Sequence, residues 1–354
     1  MLYETKNPHG GDVYGQRIHL DFSANTNPYG TPQGVLDAIR DSLSRIHRYP
    51  DPYCRELVAA ISDFEQIDPH DILCGNGAAD LIYAYARALK PRFALELAPT
   101  FSEYALAMEQ ADCPMLRYEL DPASDFRADA GLLDAVANTQ AQILFLCNPN
   151  NPTGRCMEPE LAFQLLTLCR DRQIQLFADE CFLDLTDGCP SLKQYLEDFP
   201  NLLILKAFTK SYGMAGIRLG YCMSADRTLL REMSAACQPW NVSTVAQAAG
   251  AAALREREFL QKTRQTVACE RRWLTRQLTL LGFHVIESQT NFLLFRGQPG
   301  LAEALRRRGI AIRDCSNYHG LSQGWYRIGV RLHEENEALI RSIKEEADTW
   351  QKTL

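Results

Sequence analysis

Ala207-Phe208-Thr209-Lys210-Ser211-Tyr212-Gly213-Met214-Ala215-Gly216-Ile217-Arg218-Leu219-Gly220-Tyr221 sets one lysine between small hydroxyl residues, just after the apolar run Leu202 to Leu205. Such a run reads as a buried strand, so Lys210 stands on a short loop at a strand's carboxyl end. Arg218 follows eight residues later, bracketed by Gly216 and Gly220, and can return toward the same point. A lysine so placed suits attack on a carbonyl group, and the arginine suits a phosphate. A lone lysine is more often a solvated surface charge. Its company along the chain gives it meaning.

That company comes in order. Asn148-Pro149-Asn150-Asn151-Pro152-Thr153-Gly154 follows the apolar run Ile143 to Cys147. It is ordinary turn chemistry if taken alone. Ile174 to Ala178 is a short apolar run that ends in Asp179-Glu180, which puts a carboxylate at a strand's carboxyl end, or a simple cap there. Cys74-Gly75-Asn76-Gly77-Ala78-Ala79-Asp80 opens the helix-like run Leu81 to Leu89. Glycines at a helix N-terminus let backbone N–H groups approach a phosphate, although a bare turn reads the same way. The spacing is not G-x-G-x-x-G, so no dinucleotide fingerprint is met. Arg48-Tyr49-Pro50-Asp51 would otherwise be an unremarked turn.

All five segments in this order resemble the fold-type I pyridoxal-phosphate (PLP) enzymes of the class I and II aminotransferase family. The resemblance spans essentially the whole chain. It implies PLP as cofactor, with Lys210 bonding to it covalently. Asp179 is implied at the pyridine nitrogen and Asn151 at the ring hydroxyl. Gly77, Ala78, Ala79, Thr209 and Arg218 are implied at the phosphate, and Phe101 or Tyr104 over the ring face. It further implies a homodimer in which Tyr49 reaches the cofactor phosphate of the neighbouring subunit.

Within that family the chain is similar to the histidinol-phosphate aminotransferase branch, on Arg48 to Asp51, Gly75-Asn76-Gly77 and Ser288 to Leu294. More narrowly it resembles the threonine-phosphate decarboxylases, on His9-Gly10-Gly11, Asp21 to Pro28, Gln238-Pro239-Trp240 and Ile312 to Leu321. That match implies decarboxylation of L-threonine O-3-phosphate to aminopropanol phosphate, in cobalamin biosynthesis. It places His9, Asn25, Arg313 and Arg327 at the substrate. A substrate with a carboxylate and a phosphate suits such planar arginine forks. The alternative is a histidinol-phosphate-type aminotransferase that passes an amino group to 2-oxoglutarate, because the same residue types serve both outcomes. Three departures matter, the first being that Gly77-Ala78-Ala79-Asp80 resembles the aminotransferase phosphate turn at least as well as the decarboxylase one. Asp12 stands where the decarboxylases often have Asn. Phe182 stands where many aminotransferases of the branch have Tyr, so Asn151 carries the ring-hydroxyl contact alone.

Bulk properties agree. At 354 residues, two domains are expected. A net charge of −7 argues against nucleic acid or an anionic membrane as partner. No apolar run approaches a membrane span, and Met1 to Lys6 lack a signal-peptide core. Twelve cysteines, with no C-x-x-C and no zinc spacing, read as reduced thiols of a cytoplasmic protein without a metal. The expected architecture is α/β, with a large domain whose mostly parallel sheet is flanked by helices, and a smaller α+β C-terminal domain. Residues 1–30 pack on the small domain over the site, 31–240 form the large domain, and 241–354 form an interdomain helix and the small domain. Strands are predicted at 93–97, 142–147, 174–178, 202–206 and 218–223, with helices at 53–65, 78–89, 102–110, 158–172 and 191–197. One long helical stretch is predicted over 243–280. After it come strands at 283–286, 291–295 and 325–330, and helices at 300–308 and 334–349.

Overall fold

The computed structural model describes residues 9–351 apart from Gln16 and Asp187. Met1 to Pro8, part of the segment expected over the site, lie outside the described residues. Along the chain the strands are β1 (Leu20–Asp21), β2 (Ile72–Gly75), β3 (Ala94–Ala98), β4 (Met115–Glu119), β5 (Ile143–Cys147), β6 (Gln175–Asp179), β7 (Leu202–Ala207) and β8 (Gly220–Met223), then β9 (His284–Val285), β10 (Phe292–Arg296), β11 (Ile310–Ala311), β12 (Arg313–Asp314) and β13 (Trp325–Gly329). The expected mostly parallel sheet is present. Seven strands run in the order β2-β8-β7-β6-β5-β3-β4, and β8 is antiparallel to both its neighbours.

The central strands β5, β6 and β7 are buried almost throughout. Parallel strands covered on both faces need such unbroken apolar runs, which is why they were visible in the sequence. The edge strand β4, with Arg117 and Glu119 exposed, carries no such run and was not predicted. The helices that cover the sheet include α1 (Gln33–Ser42), α2 (Arg55–Glu65), α3 (Ala78–Leu89), α4 (Glu103–Glu109), α5 (Gly131–Asn138) and α6 (Pro159–Asp171), then α7 (Phe208–Ser211), α8 (Arg227–Ala236) and α9 (Thr244–Ala253). The predicted stretch over 243–280 is two helices, α9 and α10 (Arg257–Leu280). The break has a packing cause. A Cβ on Gly250 would come 2.4 Å from Leu219 and 2.7 Å from Leu57, so the small residues of α9 press close to α2 and the loop before β8. α10 instead buries Leu260, Thr263, Val267, Leu274 and Leu278, a helical stripe that leads away to the second sheet.

That second sheet is antiparallel, in the order β12-β13-β10-β9, and packs with α11 (Leu301–Arg307) and α12 (His333–Gln351). β1 pairs with β11 in parallel, Leu20 opposite Ile310. Phe22 is fully buried among Leu274, Leu293, Phe295 and Ile328. The segment before Thr26 is thereby anchored to the second sheet.

One expectation on the cysteines is corrected. Cys156 and Cys189 form a disulfide, because the loops after β5 and β6 bring their Cα atoms within 6.1 Å. The other ten cysteines are free, and all but Cys237 and Cys269 are buried.

A buried ionic cluster underlies β7. Lys206 Nζ lies 2.7 Å from Asp184 and 3.5 Å from Glu65. Lys193 and the Tyr221 hydroxyl donate to Glu65 at 2.8 and 2.5 Å. Burial pushes the Glu65 carboxyl up, but Lys206, Lys193 and Tyr221 outweigh it and hold it at about 2, against an ordinary 4.5. Its contribution to stability is therefore present above pH 4.5 and lost as the pH falls toward 2. Lys206→Met removes the buried cation that Glu65 and the half-buried Asp184 share, a change that costs up to about 3–5 kcal/mol. The melting temperature at neutral pH should fall by roughly 5–10 °C, and the loss of stability between pH 4.5 and 2 should be smaller than in the wild type, because the Glu65 carboxyl is no longer held so low. An unchanged melting profile would refute the cluster's role.

Candidate active site

Strand carboxyl ends converge on a cavity of about 380 Å3 between the two sheets. β7 runs directly into α7, which carries Lys210, and this short helix is pinned from two sides. The Ser211 hydroxyl donates to Asp184 at 3.0 Å, and the Asn27 amide donates to the Ser211 carbonyl at 2.7 Å. Burial first, then Arg327 and Arg218, push the Lys210 ammonium down to about 8. Its Nζ lies 5.5 Å from the centre of the Phe182 ring.

Asp179, at the end of β6, is 5 % exposed. The Tyr104 hydroxyl donates to its Oδ2 at 2.6 Å and the Cys181 N–H to its Oδ1 at 2.9 Å. Those bonds hold the carboxylate in place and leave it capacity to accept from a cavity ligand. Asn151, beyond β5, accepts from Arg327 through its Oδ1, which leaves the amide N–H groups for the cavity. Burial raises the thiols of Cys147 and Cys181, so neither is a ready nucleophile.

The anion end is built at the start of α3. Gly77 has φ +86° and no side chain caps the helix. Ala78 and Ala79 line the cavity together with Thr209 and Arg218. A Cβ on Gly77 would stand 2.8 Å from an Arg218 Nη, so the glycine allows both the turn and the close guanidinium. First-turn N–H groups and an arginine make a phosphate seat.

The far wall comes from the second sheet and the N-terminal segment. Arg327 is 6 % exposed, donates to the Ser23 carbonyl at 3.1 Å, and has its Nε buried without a partner. Arg313, opposite it on β12, donates to Asn317 at 2.6 Å. Asn25 is buried on the wall, with an unpartnered Oδ1. His9 meets Glu103 at 2.6 Å.

The structure thus brings Lys210, Asp179, Asn151, Ala78, Ala79, Thr209, Arg218, Phe101, His9, Asn25, Arg313 and Arg327 to one cavity, with Gly77 behind Arg218. Of the two candidate ring-stacking residues, Phe101 is on the wall. Tyr104 lies behind it, fully buried, stacked 5.0 Å from Phe145 and committed to Asp179. Tyr49 is not brought to this cavity. It is 78 % exposed and stacks on Trp240 at 4.5 Å. Asp12 is exposed and is not a wall residue. Sequence reasoning missed Glu103 and Tyr318, both on the wall. Glu103 meets His9 from 94 positions away, and Tyr318 reaches Asn151 across 167.

The chain matches the family Aminotransferase class I and II over residues 17–343. It is 34 % identical over 329 residues to the threonine-phosphate decarboxylase of Salmonella typhimurium, covering 92 % of this chain and 90 % of that protein. The histidinol-phosphate aminotransferase from Clostridium acetobutylicum has a similar structure, with a TM-score of 0.87 and 25 % identity, over 93 % of this chain and 99 % of that one. L-threonine-O-3-phosphate decarboxylase from Porphyromonas gingivalis shares the fold, with a TM-score of 0.83 and 24 % identity over the same shares. No helix among the described residues is long and apolar enough to cross a membrane.

Gly77→Ala should strain the turn into α3 and displace Arg218. Displacing Arg218 removes a charge-assisted contact, so affinity for pyridoxal phosphate should fall roughly 10- to 150-fold. Fluorescence titration of the cofactor-free protein measures this, and unaltered affinity would rule out this location for the phosphate.

Proposed function

Because the chain belongs to the class I and II aminotransferase family, we propose that it is a PLP-dependent carboxy-lyase that converts L-threonine O-3-phosphate to aminopropanol phosphate, a step of cobalamin side-chain assembly. The observation that carries this reading is the pair Arg313 and Arg327, opposed in register and both on the wall of the cavity that holds Lys210. Together with His9 they offer cations for a small substrate with two anionic groups, in addition to the phosphate seat at Gly77 and Arg218.

The residues fit the cofactor. Gly77, Ala78, Ala79, Thr209 and Arg218 hold its phosphate, Asp179 its ring nitrogen, Asn151 its ring hydroxyl and Phe101 its ring face. Lys210 Nζ is the point of attachment. When bound, the group supplies an electron sink for the bond broken at the substrate's α-carbon. The chain's own residues decide which bond that is. Arg327, fixed by Ser23 and Asn151, orients the carboxylate. Arg313 and His9 hold the phosphate. Asp179 keeps a proton at the ring nitrogen, and Lys210 Nζ carries a proton to or from the α-carbon, a task suited to an amine poised near 8. Buried aromatic walls, Phe182 against Phe292, keep water from the reacting atoms.

The active form is a homodimer in which Tyr49 reaches the neighbouring subunit's cofactor phosphate. Exposed Ile46, Tyr49 and Trp240 line one cleft, an apolar surface suited to a second copy. Ten free thiols against one bonded pair favour a reducing, cytoplasmic setting.

Incubation with L-threonine O-3-phosphate and no keto acid should give many turnovers of carbon dioxide and amine phosphate. A single turnover that resumes only with 2-oxoglutarate would establish the aminotransferase alternative instead. Arg313→Ala should weaken substrate binding roughly 10- to 150-fold with little effect on PLP. Lys210→Ala should abolish the borohydride-stable adduct, mapped by mass spectrometry. In the wild type, covalent cofactor uptake should slow about tenfold per pH unit below 8, because the attacking amine must be unprotonated. A fully active monomer in sedimentation would refute the composite site.

A further inference from the structure

Two guanidiniums on directly opposed positions of a strand pair repel each other, which disfavours the pairing. Arg313 and Arg327 are such a pair. Tyr318, on the turn after β12, contacts both. Its ring lies 5.3 Å from the Arg313 guanidinium. Its hydroxyl is 3.4 Å from an Arg327 Nη and 3.5 Å from Asn151 Oδ1. A cation over a tyrosine face is attracted to it, so the ring draws Arg313 to its own side. The hydroxyl accepts from Arg327 and donates to Asn151, and since the contact that uses its proton is at the outer limit of a hydrogen bond, the protein holds that proton weakly. The side chain lies on the cavity wall, and burial raises the phenol's pKa, so it remains a donor.

We propose that Tyr318 is a specificity-determining residue that partitions the substrate's two anions, its ring keeping Arg313 for the phosphate and its hydroxyl joining Arg327 at the carboxylate. This rests on the decarboxylase reading above. Tyr318 touches each arginine with a different part, so the two contributions separate by substitution. Tyr318→Phe removes the donor and keeps the ring. Tyr318→Leu removes both.

The test uses the PLP-loaded enzyme and two probes, each read by the change in cofactor absorbance. L-threonine carries the carboxylate without the phosphate, and O-phosphoethanolamine carries the phosphate without the carboxylate. Tyr318→Phe should weaken L-threonine roughly tenfold and leave O-phosphoethanolamine within about twofold. Tyr318→Leu should weaken both. Equal loss of both probes in Tyr318→Phe, or loss of neither, overturns the assignment. Wild-type enzyme that binds both probes yet releases no carbon dioxide from L-threonine O-3-phosphate overturns the decarboxylase reading, and the two-probe split still judges Tyr318 by itself.

Discussion

Positive charge crowded into a small cavity is the constraint on which the rest of this site depends. Lys210, Arg218, Arg313 and Arg327 all face one cavity, and Asp179 and Glu103 are the carboxylates on its wall. The lowered Lys210 pKa records the strain of that arrangement: burial and two guanidiniums make its ammonium costly. Neutral partners fix these cations, the Ser23 carbonyl and Asn151 amide for Arg327 and the Asn317 amide and Tyr318 ring for Arg313. Anionic ligands then supply the missing compensation. The cavity is built before they arrive, and this preorganisation is what makes electrostatic recognition effective.

The polar residues that matter sit immediately after apolar runs, and that is why so much could be read from the chain. β5 ends at Cys147 and is followed by Asn151, β6 ends in Asp179, and β7 leads straight to Lys210. Ligand sites of open α/β sheets lie at such carboxyl ends. A buried strand is visible as an unbroken apolar run, so its end is visible as well. The edge strand β4 and the two-residue strands β1 and β12 lack that signature. They exist through pairing with distant partners, which no local period reports. The break between α9 and α10 was hidden for a related reason, because helix propensity continues where packing directions diverge.

The wall residues divide along the same line. Tyr104 could be nominated from its segment, but only the folded chain shows that it is spent on Asp179 and that Phe101 has the exposed face. Glu103 meets a histidine 94 positions away. Tyr318 reaches Asn151 across 167. Such pairings are properties of the tertiary structure, and composition or spacing does not encode them separately. The threonine-phosphate decarboxylases and histidinol-phosphate aminotransferases share this scaffold. Reaction choice accordingly falls to these late-assembled contacts more than to the lysine and aspartate both would use.

The pairing of β1 with β11 has a mechanical consequence. It sets the segment holding Asn25 beside the chain that runs into β12, and the Gly329 N–H of β13 donates to the Phe22 carbonyl, so this segment is tied to the sheet that bears Arg313 and Arg327, whereas Lys210, Asp179 and Arg218 lie at the ends of strands of the seven-stranded sheet. The two walls of the cavity therefore belong to different sheets, joined through a shared core in which Leu294 and Trp325 pack with residues of the large sheet. A substrate of the right length bridges them like a pin through a clasp. The gap between the two sheets becomes a gauge of molecular size, set by backbone pairing some distance from the reacting atoms.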